Sequence, residues 1–320
     1  MSEPLQPIKW LVEPLIADGD RVVLYGEFGS FKSWVLPSLA LHLAADRPWL
    51  DKFPIPQPKR VLYIDEEMHP HTLKRRIQRL ALGMGQSSKL LPLRFLSRYG
   101  VRLDTVGATR LLSELQGKEF DPEVVIVETL RRVLPGNENE ASDVGEFWRA
   151  VAPLAKDRTL IISHHMRKRS PMASASPRER ASGSTDILAG ADAAFAIQRI
   201  GADALVMECT KLREAEEPEP FVVSLYDQTQ DGPIELHFDG ARTQYEAEGG
   251  RTEQARRIIK SFLQVTPEQT ADREAILSHA DGRGVKPRTV ERALGQMKRQ
   301  GQLEQPVRGS YRLKGQGNAG

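Results

Sequence analysis

The stretch RVVLYGEFGSFKSWVLPSLALHLAAD, residues 21–46, decides how this chain is read. A β-branched run leads into a glycine-rich turn and then into apolar residues at helical spacing, which predicts strand, loop and helix in that order. Inside it, Gly26, Glu27, Phe28, Gly29, Ser30, Phe31, Lys32, Ser33 and Trp34 follow the phosphate-loop pattern, except that Phe31 stands where the last glycine belongs. A loop of this kind holds a nucleotide because backbone N–H groups and a helix N-terminus converge on anionic oxygens. Its lysine reaches the β- and γ-phosphates and its hydroxyl ligates Mg²⁺. Lys32 and Ser33 fill those two roles, and Gly26 and Gly29 supply flexible or close-approach positions. Phe31 is expected to keep its N–H available by adopting ordinary helical dihedrals, with its ring turned away from the phosphates.

Working outward, RVLYIDEE (60–67) and EVVIVET (123–129) are continuous apolar runs ending in carboxylates. TLIISHH (159–165), AAFAIQRI (193–200) and ALVMECTKLR (204–213) follow, with helical stretches such as HTLKRRIQRLAL between the early ones. Strands buried on both faces and alternating with helices predict an α/β domain with a mostly parallel sheet. Beside a phosphate loop, a carboxylate can polarise the attacking water, and Asp65, Glu66 and Glu67 compete for that task. Glu128 stands where an acidic residue would hold Mg²⁺ through its water shell. Adjacent strand residues face opposite ways, so of His164 and His165 one is expected to sense the phosphate and the other to pack. Lys211 and Arg213 lie two apart on a strand and could reach a γ-phosphate across a subunit boundary. A solvated charged face is the bland reading of that pair.

The chain ends differently. Residues 251–320 carry 14 Lys+Arg against 7 Asp+Glu, whereas the chain as a whole has a formal net charge of +2. A basic excess on one small segment points to nucleic acid. Three helical stretches (252–264, 272–280 and 286–301) and a hairpin turning near Arg308 and Gly309 predict a winged helix-turn-helix. Its candidate DNA contacts are Lys286, Arg288, Arg292, Lys298 and Arg299, with Arg308 and Arg312 on the wing. The expected layout is a domain over 1–236, a linker over 237–250 and the winged helix over 251–320. A single cysteine, Cys209, excludes an intramolecular disulfide. The start MSEPLQPIKW lacks the pattern of a signal peptide, and no apolar run approaches the roughly 18 residues of a membrane span. The expectation is a cytoplasmic protein that does not enter a membrane.

Taken together, these motifs resemble the RecA-like ATPases of the plasmid RepA type, hexameric helicases with phage relatives. The resemblance covers residues 8–226 and is carried by IKWLVEPLIADGDRVVLYGEFGSFKS, VLYIDEE, VVIVETLRRVLPGNENEASD, LIISHHMRK and ASGSTDILAGAD. It implies ATP with Mg²⁺, catalysis by Glu67 in preference to Glu66, Mg²⁺ coordination at Glu128 where the family has Asp, and phosphate sensing by His165. An aromatic before the loop lysine is tolerated in such relatives. Where some members carry a finger arginine this chain has Asp192, so Lys211 and Arg213 are expected to act in its place, resembling the paired Lys-x-Arg of replicative helicases. A homo-hexamer is implied, with single-stranded DNA in a channel lined by Arg167, Lys168 and Arg169 and duplex DNA at the winged helix. The expected activity is a DNA helicase or translocase serving a plasmid, phage or mobile element. The alternative is an ATP-switched DNA-binding regulator or initiator that does not unwind.

Overall fold

The structure, a computed structural model, describes residues 7–87, 91–115, 120–165, 186–201, 203–227, 232–247, 250–283, 285 and 287–314. The chain divides into two compact units, with the boundary between Asp239 and Gly240.

The first unit opens with a small ribbon, β1 (Trp10–Val12) against β2 (Ile16–Ala17). The phosphate-loop strand β3 (Arg21–Gly26) and helix α1 (Lys32–Ala45) come next. After them run β4 (Val61–Asp65), α2 (Pro70–Gly83), β5 (Leu93–Ser97), α3 (Thr105–Leu115) and β6 (Val124–Glu128). The unit continues through α4 (Leu130–Val133), α5 (Ala141–Ala155), β7 (Thr159–His165), α6 (Asp186–Ala189), β8 (Ala193–Arg199), β9 (Ala204–Leu212), β10 (Phe221–Asp227) and β11 (Ile234–Ala241). Nine strands form one sheet in the order β11-β10-β9-β8-β3-β7-β6-β4-β5. The six from β8 to β5 are mutually parallel, and β9 and β10 extend the sheet antiparallel.

Strand side chains alternate between the two faces, and both faces are covered. Val22, Leu24, Val61, Tyr63 and Ile126 join a core with Leu36, Leu39 and Leu43 of α1 and Leu73 and Ile77 of α2. Their neighbours Val23, Tyr25, Leu62, Ile64 and Val127 join a second core with Leu111 of α3 and Phe147 and Val151 of α5. This two-sided burial is why the strands read as unbroken apolar runs. Because β3 sits between β7 and β8 while the chain passes first to β4, the loop after β3 opens at the point where strand order reverses. In open α/β sheets, ligands bind there.

The second unit contains α7 (Arg242–Ala247), α8 (Arg251–Val265), β12 (Thr270–Asp272), α9 (Arg273–Asp281), α10 (Pro287–Arg299), β13 (Leu303–Glu304) and β14 (Ser310–Leu313). Its strands pair as an antiparallel sheet in the order β12-β14-β13. The Asp272 carboxylate caps α9 by accepting the Ala275 N–H at 2.7 Å. The segment 237–250, expected as a linker, instead holds the end of β11 and all of α7. No helix among the described residues is long and apolar enough to cross a membrane.

Candidate nucleotide site and nucleic-acid face

Residue pairing across the sheet aligns the ends of four parallel strands. Gly26 pairs with His165, and Asp65 pairs with Glu128. The phosphate loop therefore lies along one edge with His165, Glu128 and the acidic end of β4. A Cβ on Gly26 would stand 2.5 Å from the Ile197 carbonyl oxygen, so only glycine fits beside β8. Lys32 is 6 % exposed. Its Nζ donates to the carbonyls of Gly26 (2.7 Å) and Glu27 (2.9 Å) and to Ser30 Oγ (3.3 Å). Burial pushes the Lys32 ammonium down to about 8, opposed by the charges of Glu128, Glu67 and Glu27.

Phe31 departs from expectation. It sits at the N-terminal boundary of α1 with φ 69° and ψ 11°, the left-handed conformation a glycine would favour, and not in helical dihedrals. Its ring packs against the first core and under the Arg199 guanidinium at 4.6 Å. Phe28, also in the loop, stacks on His165 with ring centroids 4.0 Å apart.

The three carboxylates ending β4 separate by their bonds. Asp65 is fully buried and accepts the N–H groups of Glu67 (2.8 Å) and Met68 (2.7 Å), so it shapes the turn. Glu66 turns to the N–H groups of Gly100 and Val101, both at 3.0 Å. Glu67 faces the phosphate loop side, with Oε1 3.6 Å from His165 Nε2 and 3.8 Å from Arg132 Nε. Contact with His165, against the opposing effect of burial, holds the Glu67 carboxyl below its ordinary value, helped by Arg132 and Lys32.

Glu128 is buried at the end of β6 and accepts the hydroxyl of fully buried Tyr63 at 2.5 Å. Burial, then the Asp65 charge, pushes Glu128 up to about 7. The Tyr63 hydroxyl thus fixes the longer glutamate stem standing where the family has aspartate. Ser33, at the first turn of α1, and Glu128 are hard oxygen donors of the kind Mg²⁺ takes, and together they fit that ion.

Arg76 was not foreseen as part of this site. Pro37 lies inside α1 and has no N–H for the Ser33 carbonyl four residues back. Arg76 Nη1 of α2 donates to that carbonyl at 2.8 Å, while its guanidinium lies 4.2 Å over the Trp34 ring. A basic residue on an amphipathic helix ordinarily reads as solvated; Pro37 is the signal that a donor was needed.

Lys211 and Arg213 are not brought to this site. Lys211 pairs with Ala194 at the start of β8 and donates to the Leu188 and Ala189 carbonyls at 2.8 and 3.0 Å. Arg213 lies past the end of β9, and a bulge between Ala194 and Phe195 shifts the register, so the two cations do not share a regular strand face as expected. Asp192 holds Arg213 at 2.8 Å and Arg21 at 3.0 Å. Arg21 begins β3 and the loop begins at its end, so this cluster lies roughly 16 Å from its own phosphate loop at ~3.3 Å per residue.

Arg167, Lys168, Arg169 and Lys286 fall outside the described residues. On α10, Val290, Ala293, Leu294 and Met297 are buried. Arg288, Arg292 and Arg299 are exposed at spacings of four and seven, a single stripe opposite that buried face. Lys298 instead donates to Gln305 at 2.7 Å, and Arg312 pairs with Glu304 at 2.6 Å. Arg308 is exposed beside Gly309 at the hairpin turn.

The fold and this edge define a P-loop ATPase of RecA-like architecture. The AAA domain family matches residues 1–171, and the chain belongs to that family. Among solved structures, the ATPase domain of a helicase is similar with a TM-score of 0.51 at 11 % identity, covering 65 % of this chain and 81 % of that one. No curated protein matches the chain in sequence.

Proposed function

We propose that this protein is an ATP-hydrolysing DNA helicase or translocase of the RepA type, working as a homo-hexamer in replication of a plasmid, phage or mobile element. One observation carries the ATP-hydrolysing part. Asp65 Oδ2, Thr129 Oγ1, Ser163 Oγ and both ring nitrogens of His165 are buried without a hydrogen-bond partner among the described residues. They all lie at the C-terminal ends of β4, β6 and β7, beside the phosphate loop. Buried polar atoms are seldom left unpaired, so a cluster of them marks where ligand and water complete the bonding.

In this reading the loop N–H groups and Lys32 bind the β- and γ-phosphates, and Glu67 orients the attacking water. His165 contacts the transferring phosphate, and Phe28 covers the imidazole. Mg²⁺, when bound by Ser33 and by Glu128 through water, bridges phosphate oxygens and offsets their charge. Lys211 and Arg213 complete the site of a neighbouring subunit. The similarity to a helicase ATPase domain supports the fold of this assignment. Three helices and a three-stranded sheet in the second unit, with the α10 arginine stripe, support a winged helix that holds duplex DNA.

Strand displacement on a forked duplex tests the proposal. The wild-type chain should separate strands only with ATP and Mg²⁺, and Lys32→Ala should lower hydrolysis by about 100-fold or more and abolish separation. Duplex binding that depends on ATP, with no strand separation, would make the protein an ATP-switched regulator or initiator instead.

A further inference from the structure

In the second unit, α8 and α10 enclose an open notch of about 230 Å³ lined by Arg256, Gln296, Arg299 and Gln300. The lining consists of two guanidinium and two carboxamide side chains, with no apolar residue among them. Arg256 is largely buried, its side chain 13 % exposed, and Glu253 pairs with its Nη1 at 3.1 Å. Its Nε has no hydrogen-bond partner among the described residues. Leaving a buried N–H unpaired costs about 1–3 kcal/mol, more where the group is charged, so this donor is placed for an acceptor from outside the fold. A single carboxylate faces two guanidinium groups, leaving the notch cationic.

We infer that this notch seats a phosphodiester group of a duplex backbone, deepening the proposed DNA contact of the second unit, on which the inference rests. A guanidinium fork matches two phosphate oxygens at once, and the carboxamide N–H₂ groups supply further donors. Arg299 belongs to both the notch and the exposed stripe with Arg288 and Arg292, so a backbone held in the notch continues along α10. Backbone contacts of this type fix register on DNA and carry no sequence information.

The test uses the full-length chain and a fluorescent duplex of about 25 base pairs, titrated over a range of salt. Arg256→Gln should weaken binding 5- to 10-fold at 0.1 M salt, and the slope of log K against log[salt] should fall by about one. Gln300→Glu, a change at an exposed position, should weaken binding at least as much while leaving the melting temperature unchanged. Wild-type affinity and slope in both variants would overturn the inference. If the double variant Arg288→Gln/Arg292→Gln loses duplex binding while the notch variants keep it, the notch is wrong and the DNA-binding reading stands. If none of the four substitutions matters, both fail. Inorganic pyrophosphate distinguishes the source of the phosphate. Saturation at micromolar concentration, lost in Arg256→Gln, would make the notch a free-anion site and overturn the backbone assignment; binding only above millimolar concentration is expected.

Discussion

Phe31 shows how one residue can keep a loop's geometry while breaking its pattern. An L-residue in the left-handed region costs roughly 1–2 kcal/mol, a penalty glycine avoids. The ring offsets it by packing on the first core and beneath Arg199, an arrangement with a cation–π contribution of about 0.5–1 kcal/mol. Phe31→Ala removes the ring and retains the backbone penalty, whereas Phe31→Gly removes both. The glycine variant should therefore be the more stable of the two by about 1 kcal/mol, or about 2–4 °C in melting temperature for a unit of this size. In a helix interior that order is reversed, since alanine is favoured there. Thermal melts of both variants without nucleotide settle the matter: an alanine variant equal to or above glycine would mean that position 31 does not hold a positive φ. The sequence showed a missing glycine at this position but could not show that the backbone stays glycine-like. That depended on the core and on Arg199, which is 168 positions away in the chain.

At the scale of elements, α9 carries a pH-sensitive contact in the second unit. His279 stacks on Phe262 of α8 with ring centroids 4.1 Å apart. Burial, and then the Arg283 charge, pushes its imidazole down to about 4 from the ordinary 6.5. The folded unit thus favours the neutral ring. The stability tied to this group is complete above pH 6.5 and is lost as pH falls from 6.5 towards 4, because the unfolded chain takes up the proton first. Discounted for the partial exposure of the ring, the loss at pH 5 is roughly 1 kcal/mol. His279→Phe keeps a stacked ring that cannot titrate, so the difference in melting temperature between pH 7.5 and pH 5 should shrink; an unchanged difference would place the pH response elsewhere. The elements themselves were legible to different degrees for physical reasons. β3, β4, β6 and β7 announce themselves because burial on both faces demands unbroken apolar runs. β5 stayed hidden because Arg94 and Ser97 interrupt a short edge strand, and β11 because its sequence IELHFDGA is only half apolar. Among the acids of β4, residue type alone left Asp65, Glu66 and Glu67 equivalent, and the turn that separates them is made by hydrogen bonds within the turn and to a segment distant in the chain.

At the scale of the whole molecule, the polarity of the sheet decides what a single chain can do. Lys32, Glu67, Glu128 and His165 gather at one edge, while Lys211 and Arg213 lie at the other, held by the end of α6 and by Asp192. In a ring, one edge of each subunit would meet the opposite edge of its neighbour, so each complete site would combine two chains. This predicts complementation between inactive subunits. Lys32→Ala disables the site on its own chain, and Arg213→Gln disables the site on the neighbour. Each variant alone should hydrolyse ATP at a small fraction of the wild-type rate. Mixed in equal amounts and allowed to exchange subunits, they should recover up to about a quarter of wild-type activity, the random share of boundaries that join an intact loop to an intact arginine. Mixtures with wild type give the reciprocal check, because either variant should depress the activity of its partners in proportion to the boundaries it occupies. Activity of the variant mixture no greater than the mean of its components, under conditions where exchange is confirmed by fluorescence transfer between labelled chains, would mean that the arginine does not act across a boundary. Lys211 and Arg213 would then be structural groups fastening α6 and β8 to the sheet.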